Sequence, residues 1–163
     1  MNWYLTKNEN FYNLLVYILE KELEIYSKNS RKEKISIVLD IDGTIIDENS
    51  IPITPVYAFY KYCMSKGLDL IIITARPGFK ENVHGTINML LNLGLPHQNI
   101  YFMRNGYSDQ PTFKLHARKD LKNKGYNTLL SIGDNWWDVG EHGGVGVIIN
   151  KKNDKEILYQ ISR

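Results

Sequence analysis

Five short apolar runs, separated by stretches with helical spacing, constrain the fold of this 163-residue chain more than any other feature. They are Ile35–Leu39, Leu70–Thr74, Asn99–Met103, Thr128–Ile132 and Gly144–Ile149. Most are apolar nearly throughout and do not alternate, which is the pattern of strands buried on both faces of a parallel sheet. Between them, Pro55–Lys66, Phe79–Leu93 and Leu115–Lys124 read as helices. Thr54 precedes the first as a candidate N-cap, with Pro55 at its first position, and Gly67, Gly94 and Gly125 follow as stops. Alternating strand and helix with right-handed crossovers predicts an α/β fold, a doubly wound, mostly parallel, five-stranded Rossmann-like sheet flanked by helices.

Ahead of these runs, Phe11, Leu14, Leu15, Ile18 and Leu19 form one apolar helical face, so residues 8–27 are expected to be an amphipathic helix. Lys28–Lys34 carries both signs of charge and reads as a solvated linker, with a phosphate-binding patch as the weaker alternative. A single domain is expected over 1–163, with a catalytic core at 35–150. Apolar residues are 43% and the net charge is +2, which excludes a disordered chain and weighs against nucleic-acid and membrane partners. No run approaches the roughly 20 apolar residues of a membrane span. The lone cysteine, Cys63, reads as packing and suits a reducing compartment; with no cleavage site after Phe11–Leu19, a cytoplasmic protein is expected.

In doubly wound sheets, ligands bind beyond the carboxyl ends of the strands. Asp40-Ile-Asp42-Gly43-Thr44 follows the first run, Thr74-Ala75-Arg76 ends the second, Lys114 comes after the third, and Gly133-Asp134 through Asp138 follow the fourth. Clustered carboxylates repel one another unless a cation sits among them, and all-oxygen ligands suit Mg²⁺. One carboxylate can attack phosphorus and a second can transfer protons. A lysine and a hydroxyl can hold phosphoryl oxygens. Asp47, Asp69, Asp109 and Asp120 read as turn or cap residues, and His84, His97, His116 and His142 as structural or exposed.

In that order and spacing, Asp40–Thr44 resembles the first motif of the haloacid dehalogenase-like superfamily. Thr74 resembles the second, Lys114 the third, and Gly133-Asp134 through Asp138 the fourth. Phe113-Lys114, Gly125-Tyr126 and Gly133–Asp138 are similar to the acid-phosphatase subfamily, which includes class B acid phosphatases and plant vegetative storage proteins. The resemblance implies that Asp40 is a nucleophile that becomes phosphorylated and Asp42 the general acid/base. It implies Mg²⁺ on the carboxylates of Asp40 and Asp134 and the backbone carbonyl of Asp42. Asp138 would either support these ligands from behind or meet the metal through a water, and Thr74 and Lys114 would grip the phosphoryl group. Gly43, Thr44, Ala75, Arg76 and Trp136 are candidate substrate contacts; for Arg76 a structural ion pair is the equal alternative. A receiver domain is excluded, because there the phosphorylated aspartate follows the third strand.

The spacings from Thr44 to Thr74 and from Thr74 to Lys114 leave no room for a globular cap, so an open site is expected. The expected substrate is a small phosphomonoester such as a nucleotide, with a nucleic-acid 3′-phosphate or a phosphoprotein as alternatives. A silent storage or binding protein on the same fold is the non-enzymatic alternative. For the N-terminal helix, docking on the body, a homo-oligomer contact and a partial lid all stay open, with docking preferred.

Overall fold

A computed structural model describes residues 2–28 and 33–163. The expected linker at 28–34 falls partly on residues 29–32, outside the described residues. The elements are β1 (Tyr4–Lys7), α1 (Asn8–Lys28), β2 (Lys34–Leu39), α2 (Thr54–Ser65), β3 (Asp69–Pro77), α3 (Lys80–Asn92), β4 (Asn99–Met103), α4 (Gln110–Asn123), β5 (Tyr126–Gly133), the 3₁₀ turn η1 (Trp136–Asp138), β6 (Val145–Lys151) and β7 (Glu156–Ser162). None of the described helices is long and apolar enough to cross a membrane.

Among the described residues the sheet has seven strands, in the order β1-β7-β6-β5-β2-β3-β4, and this corrects the expected five. The five strands β6-β5-β2-β3-β4 are parallel, as their unbroken apolar runs predict. The two additional strands are antiparallel: β7 returns along β6, and β1 pairs with β7 at the edge. In β7, Ile157, Tyr159 and Ile161 recur at every second residue and pack on the main core, a half-buried alternation unlike that of the inner strands.

The period of two divides the inner strands between two cores. Ile37, Leu39, Leu70 and Ile72 face α1, α2 and α3, where Phe11, Leu15, Leu19, Val56, Phe59 and Leu90 fill the larger cluster. Val38, Ile71 and Ile73 face the other way, onto Phe113, Ala117 and Leu121 of α4. Helix α1 therefore docks on the body, and its three innermost residues are fully buried.

Two helix starts differ from expectation. Helix α2 begins at Thr54, with Ile53 at the N-cap and no side-chain cap. Thr54 Oγ1 instead accepts from Asn8 Nδ2 at 3.1 Å. Helix α4 begins at Gln110, five residues before the expected Leu115, because Asp109 caps it by accepting from Thr112 N at 2.7 Å and Pro111 occupies the first turn. Lys114 therefore projects from a helix and not from a connecting loop.

Strand order reverses at β2. The chain moves from β2 to β3 and β4 on one side, then returns through α4 to β5 and β6 on the other. The carboxyl ends of β2 and β5 thus flank a topological switch point, where such sheets place their ligands.

Candidate active site

At the switch point, Leu39 pairs with Ile132, and Asp40 N donates to Ile132 O at 3.0 Å, so the ends of β2 and β5 lie side by side. That register brings Asp40 and Asp134 together. The turn η1 adds Asp138, and one carboxylate oxygen from each of these three residues lies within 4.8 Å of the others. Gly43, at φ 75°, lets the chain pass close to this cluster; a Cβ there would run into the Asp134 carboxylate.

Lys114 reaches the cluster from α4 and is only 2% exposed. Its Nζ donates to Asp40 Oδ1 at 2.9 Å and Ile73 O at 2.6 Å, and pairs with Asp138 Oδ1 at 2.7 Å. Two hydrogen bonds and this ion pair make the burial of a full charge tolerable. The other oxygen of Asp138 accepts from Asp134 N at 3.1 Å and Asn135 N at 3.0 Å. Asp138 thus holds the loop and the lysine in place, while Asp40 and Asp134 are only partly buried.

The sequence singled out neither Arg118 nor its role. It lies one turn beyond Lys114 on the same face of α4 and is 4% exposed. Its Nε donates to Glu141 O at 2.9 Å and its Nη1 to Trp137 O at 2.8 Å, which staples the 136–141 loop to α4. The signal was a second cation at i+4, but its burial depends on carbonyls from another element.

Of the other candidates, Thr74 is 1% exposed and its Oγ1 accepts from Arg76 N at 3.1 Å. The Asp42 side chain is not among the clustered carboxylates. It is 60% exposed and is gripped by Arg76, whose Nε and Nη2 donate to its two oxygens at 2.9 and 2.8 Å. Ala75 is partly buried between Thr74 and Arg76. Thr44 is fully buried, so its side chain does not open onto the site. Trp136 is 66% exposed beside Asp134 and meets Trp137 edge to face at 5.4 Å. Tyr101, Phe102 and Tyr107 line a separate groove of about 540 Å³ along the β4 edge.

Burial pushes the Asp40 carboxyl well above the ordinary carboxylate range; Asp138 and Asp134 push it the same way, and Lys114 opposes them. Burial, then Asp138, also raises Asp134. A neutral carboxyl in the fold that ionises more readily in the unfolded chain stabilises the fold below about pH 4, and this contribution is lost as pH rises through the folded-state value. The metal-free protein is therefore expected to lose stability between about pH 5 and pH 8. A divalent cation must displace these protons, so its affinity should rise over the same interval with proton release. Calorimetric Mg²⁺ titration in buffers of different ionisation enthalpy checks this, and an affinity independent of pH would contradict it.

A family model described as HAD superfamily, subfamily IIIB (acid phosphatase), matches residues 47–158. Two solved structures of the class C acid phosphatase from Bacillus anthracis, one with tungstate bound, share the fold at a TM-score of 0.61 and 21% identity. Each match covers 80% of this chain and 64% of that protein, so the chain spans less than two thirds of its length. No curated protein matches the chain significantly.

Proposed function

The chain belongs to the HAD superfamily, subfamily IIIB (acid phosphatase), and from that premise we propose that it hydrolyses small phosphomonoesters through a phosphorylated Asp40. The observation that carries this proposal is the buried Lys114 bound to both Asp40 and Asp138 at the switch point, with Asp134 alongside.

Asp40 lies at the open end of the sheet, in reach of a phosphorus atom above it. Attack by its carboxylate forms an Asp40–phosphorus bond as the ester P–O bond breaks. The leaving oxygen takes a proton from Asp42. Water then attacks phosphorus, Asp42 takes the water's proton, and Asp40 is regenerated as inorganic phosphate leaves. Lys114 and Thr74 flank the position of the equatorial phosphoryl oxygens, where negative charge is spread in the transition state. Tungstate, which the Bacillus anthracis enzyme holds, has the tetrahedral oxyanion shape that this space would accept.

The donor set fits a hard divalent cation, because it is all oxygen and crowds carboxylates that resist ionisation without one. Asp40 and Asp134 would hold Mg²⁺ through their carboxylates and Asp42 through its backbone carbonyl. Bound there, the ion neutralises charge and orients a substrate phosphate oxygen. The turns and isolated bridges between Ile41 and Thr54, followed by α2, support a reading of the site as open on this side. Exposed Trp136 offers a flat face to an aromatic leaving group such as a nucleoside.

Hydrolysis of 4-nitrophenyl phosphate with Mg²⁺ tests the proposal. Activity should vanish in EDTA and return with Mg²⁺, and Ca²⁺ should inhibit because its looser shell misplaces the nucleophile. Full activity after thorough chelation, or none with Mg²⁺, would overturn it.

A further inference from the structure

The grip of Arg76 on Asp42 has a consequence for one half of the reaction only. Arg76 closes a three-way link. Its Nε and Nη2 hold both Asp42 oxygens, and its Nη1 donates at 3.1 Å to Thr86 Oγ1, a buried hydroxyl on α3. Asp42 is the more exposed partner, 60% against 24% for Arg76, so the anchored guanidinium sets where the carboxylate points. A guanidinium has five donors and no acceptor, and its fork matches a carboxylate that accepts at both oxygens. The arrangement is therefore that of a carboxylate held at both oxygens by one anchored fork.

We propose that Arg76 is the positioning residue that holds Asp42 as the base in the second half of the reaction; this rests on the function proposed above. In the first half, the electron pair of the breaking P–O bond goes to the leaving oxygen, which takes the Asp42 proton. A leaving group that is stable as an anion, such as 4-nitrophenolate, has little need of that proton. In the second half every substrate presents the same demand. Water's oxygen bonds to phosphorus, its proton passes to Asp42, and the Asp40–phosphorus bond breaks to return the Asp40 carboxylate. An exposed aspartate left to sample its rotamers would seldom meet that water, whereas the fork, fixed through Thr86, keeps it aimed.

Rapid-quench kinetics of Arg76→Gln with 4-nitrophenyl phosphate and Mg²⁺ separate the two halves. The variant should release about one nitrophenolate per active site in a burst, then turn over roughly 10- to 100-fold more slowly than wild type. The phosphorylated fraction of the enzyme should rise, and KM should fall together with kcat because the intermediate accumulates. Thr86→Val, which frees the anchor without touching Asp42, should show the same accumulation to a smaller degree and serves if Arg76→Gln does not fold. A raised KM at unchanged kcat would make Arg76 a substrate contact and overturn the proposal. So would equal loss of burst rate and turnover with no accumulation, or wild-type behaviour of both variants. Wild-type protein that releases no nitrophenolate would instead overturn the function on which the proposal stands.

Discussion

Asp40→Asn is expected to abolish turnover, with a loss in kcat on the order of 10⁴-fold or more, and to leave the protein folded. The amide has the size of the carboxylate but cannot attack phosphorus. Breaking a buried ion pair usually strands the surviving charge at a cost of about 3–5 kcal/mol. Here Lys114 keeps Asp138 at 2.7 Å and the Ile73 carbonyl at 2.6 Å, so it is not stranded. The charge removed is also an unfavourable one, since burial and two neighbouring carboxylates resist ionisation of Asp40. At about pH 8, well above the ordinary carboxylate value, metal-free Asp40→Asn should therefore melt no lower than wild type. The same substitution removes a metal ligand, so Mg²⁺ should bind about 10- to 100-fold more weakly by calorimetry. Near wild-type kcat in the purified variant would refute the role of Asp40, and a collapse of the melting temperature would refute the account of Lys114.

How legible these features were depends on how far each depends on distant parts of the chain. Asp40, Asp42 and Gly43 could be found because a buried parallel strand writes itself as an unbroken apolar run, and the residues after it must sit at the ligand end of the sheet. Asp134 follows from the same rule applied to β5. Lys114 was legible as a residue but not as a position, although Asp109 and Pro111 marked an earlier helix start. Arg118 could not be read, because the carbonyls of Trp137 and Glu141 that receive it belong to a loop defined only by tertiary structure. The clustering of Asp138 with Asp40 likewise depends on the η1 turn, in which Asn135 and Asp138 cap each other.

The two strands outside the parallel set were missed for two separate reasons. In β7 the alternation of Ile157, Tyr159 and Ile161 is present in the sequence, but it lies beyond the last motif and outside the core expected at 35–150. Strand β1 has four residues, and its partners Glu156–Tyr159 lie at the far end of the chain, so no local pattern announces it. The side chain of Asp42 is the functional case: its sequence position was clear, but its orientation is set by Arg76 and, through it, by Thr86 on α3.

Removing residues 1–28 is expected to leave a chain that does not fold stably. The segment carries Phe11, Leu15 and Leu19, each fully buried in the larger core, and β1, which covers the edge of β7. Truncating one such side chain to alanine costs about 2–5 kcal/mol. Three together approach or exceed the roughly 5–15 kcal/mol that holds a domain folded. Sheet residues such as Ile157, fully buried in the same cluster, would also lose their cover. A milder variant separates a structural helix from a lid. Leu15→Ala should lower the melting temperature by roughly 5–15 °C. It should also leave KM within about twofold of wild type. Helix α1 begins beside Thr54 and Asp154, through the two hydrogen bonds of Asn8, and packs along α2, so it lies against the helix layer and not across Asp40. A melting temperature unchanged in Leu15→Ala, together with a KM raised about tenfold, would show that the helix closes over the site instead.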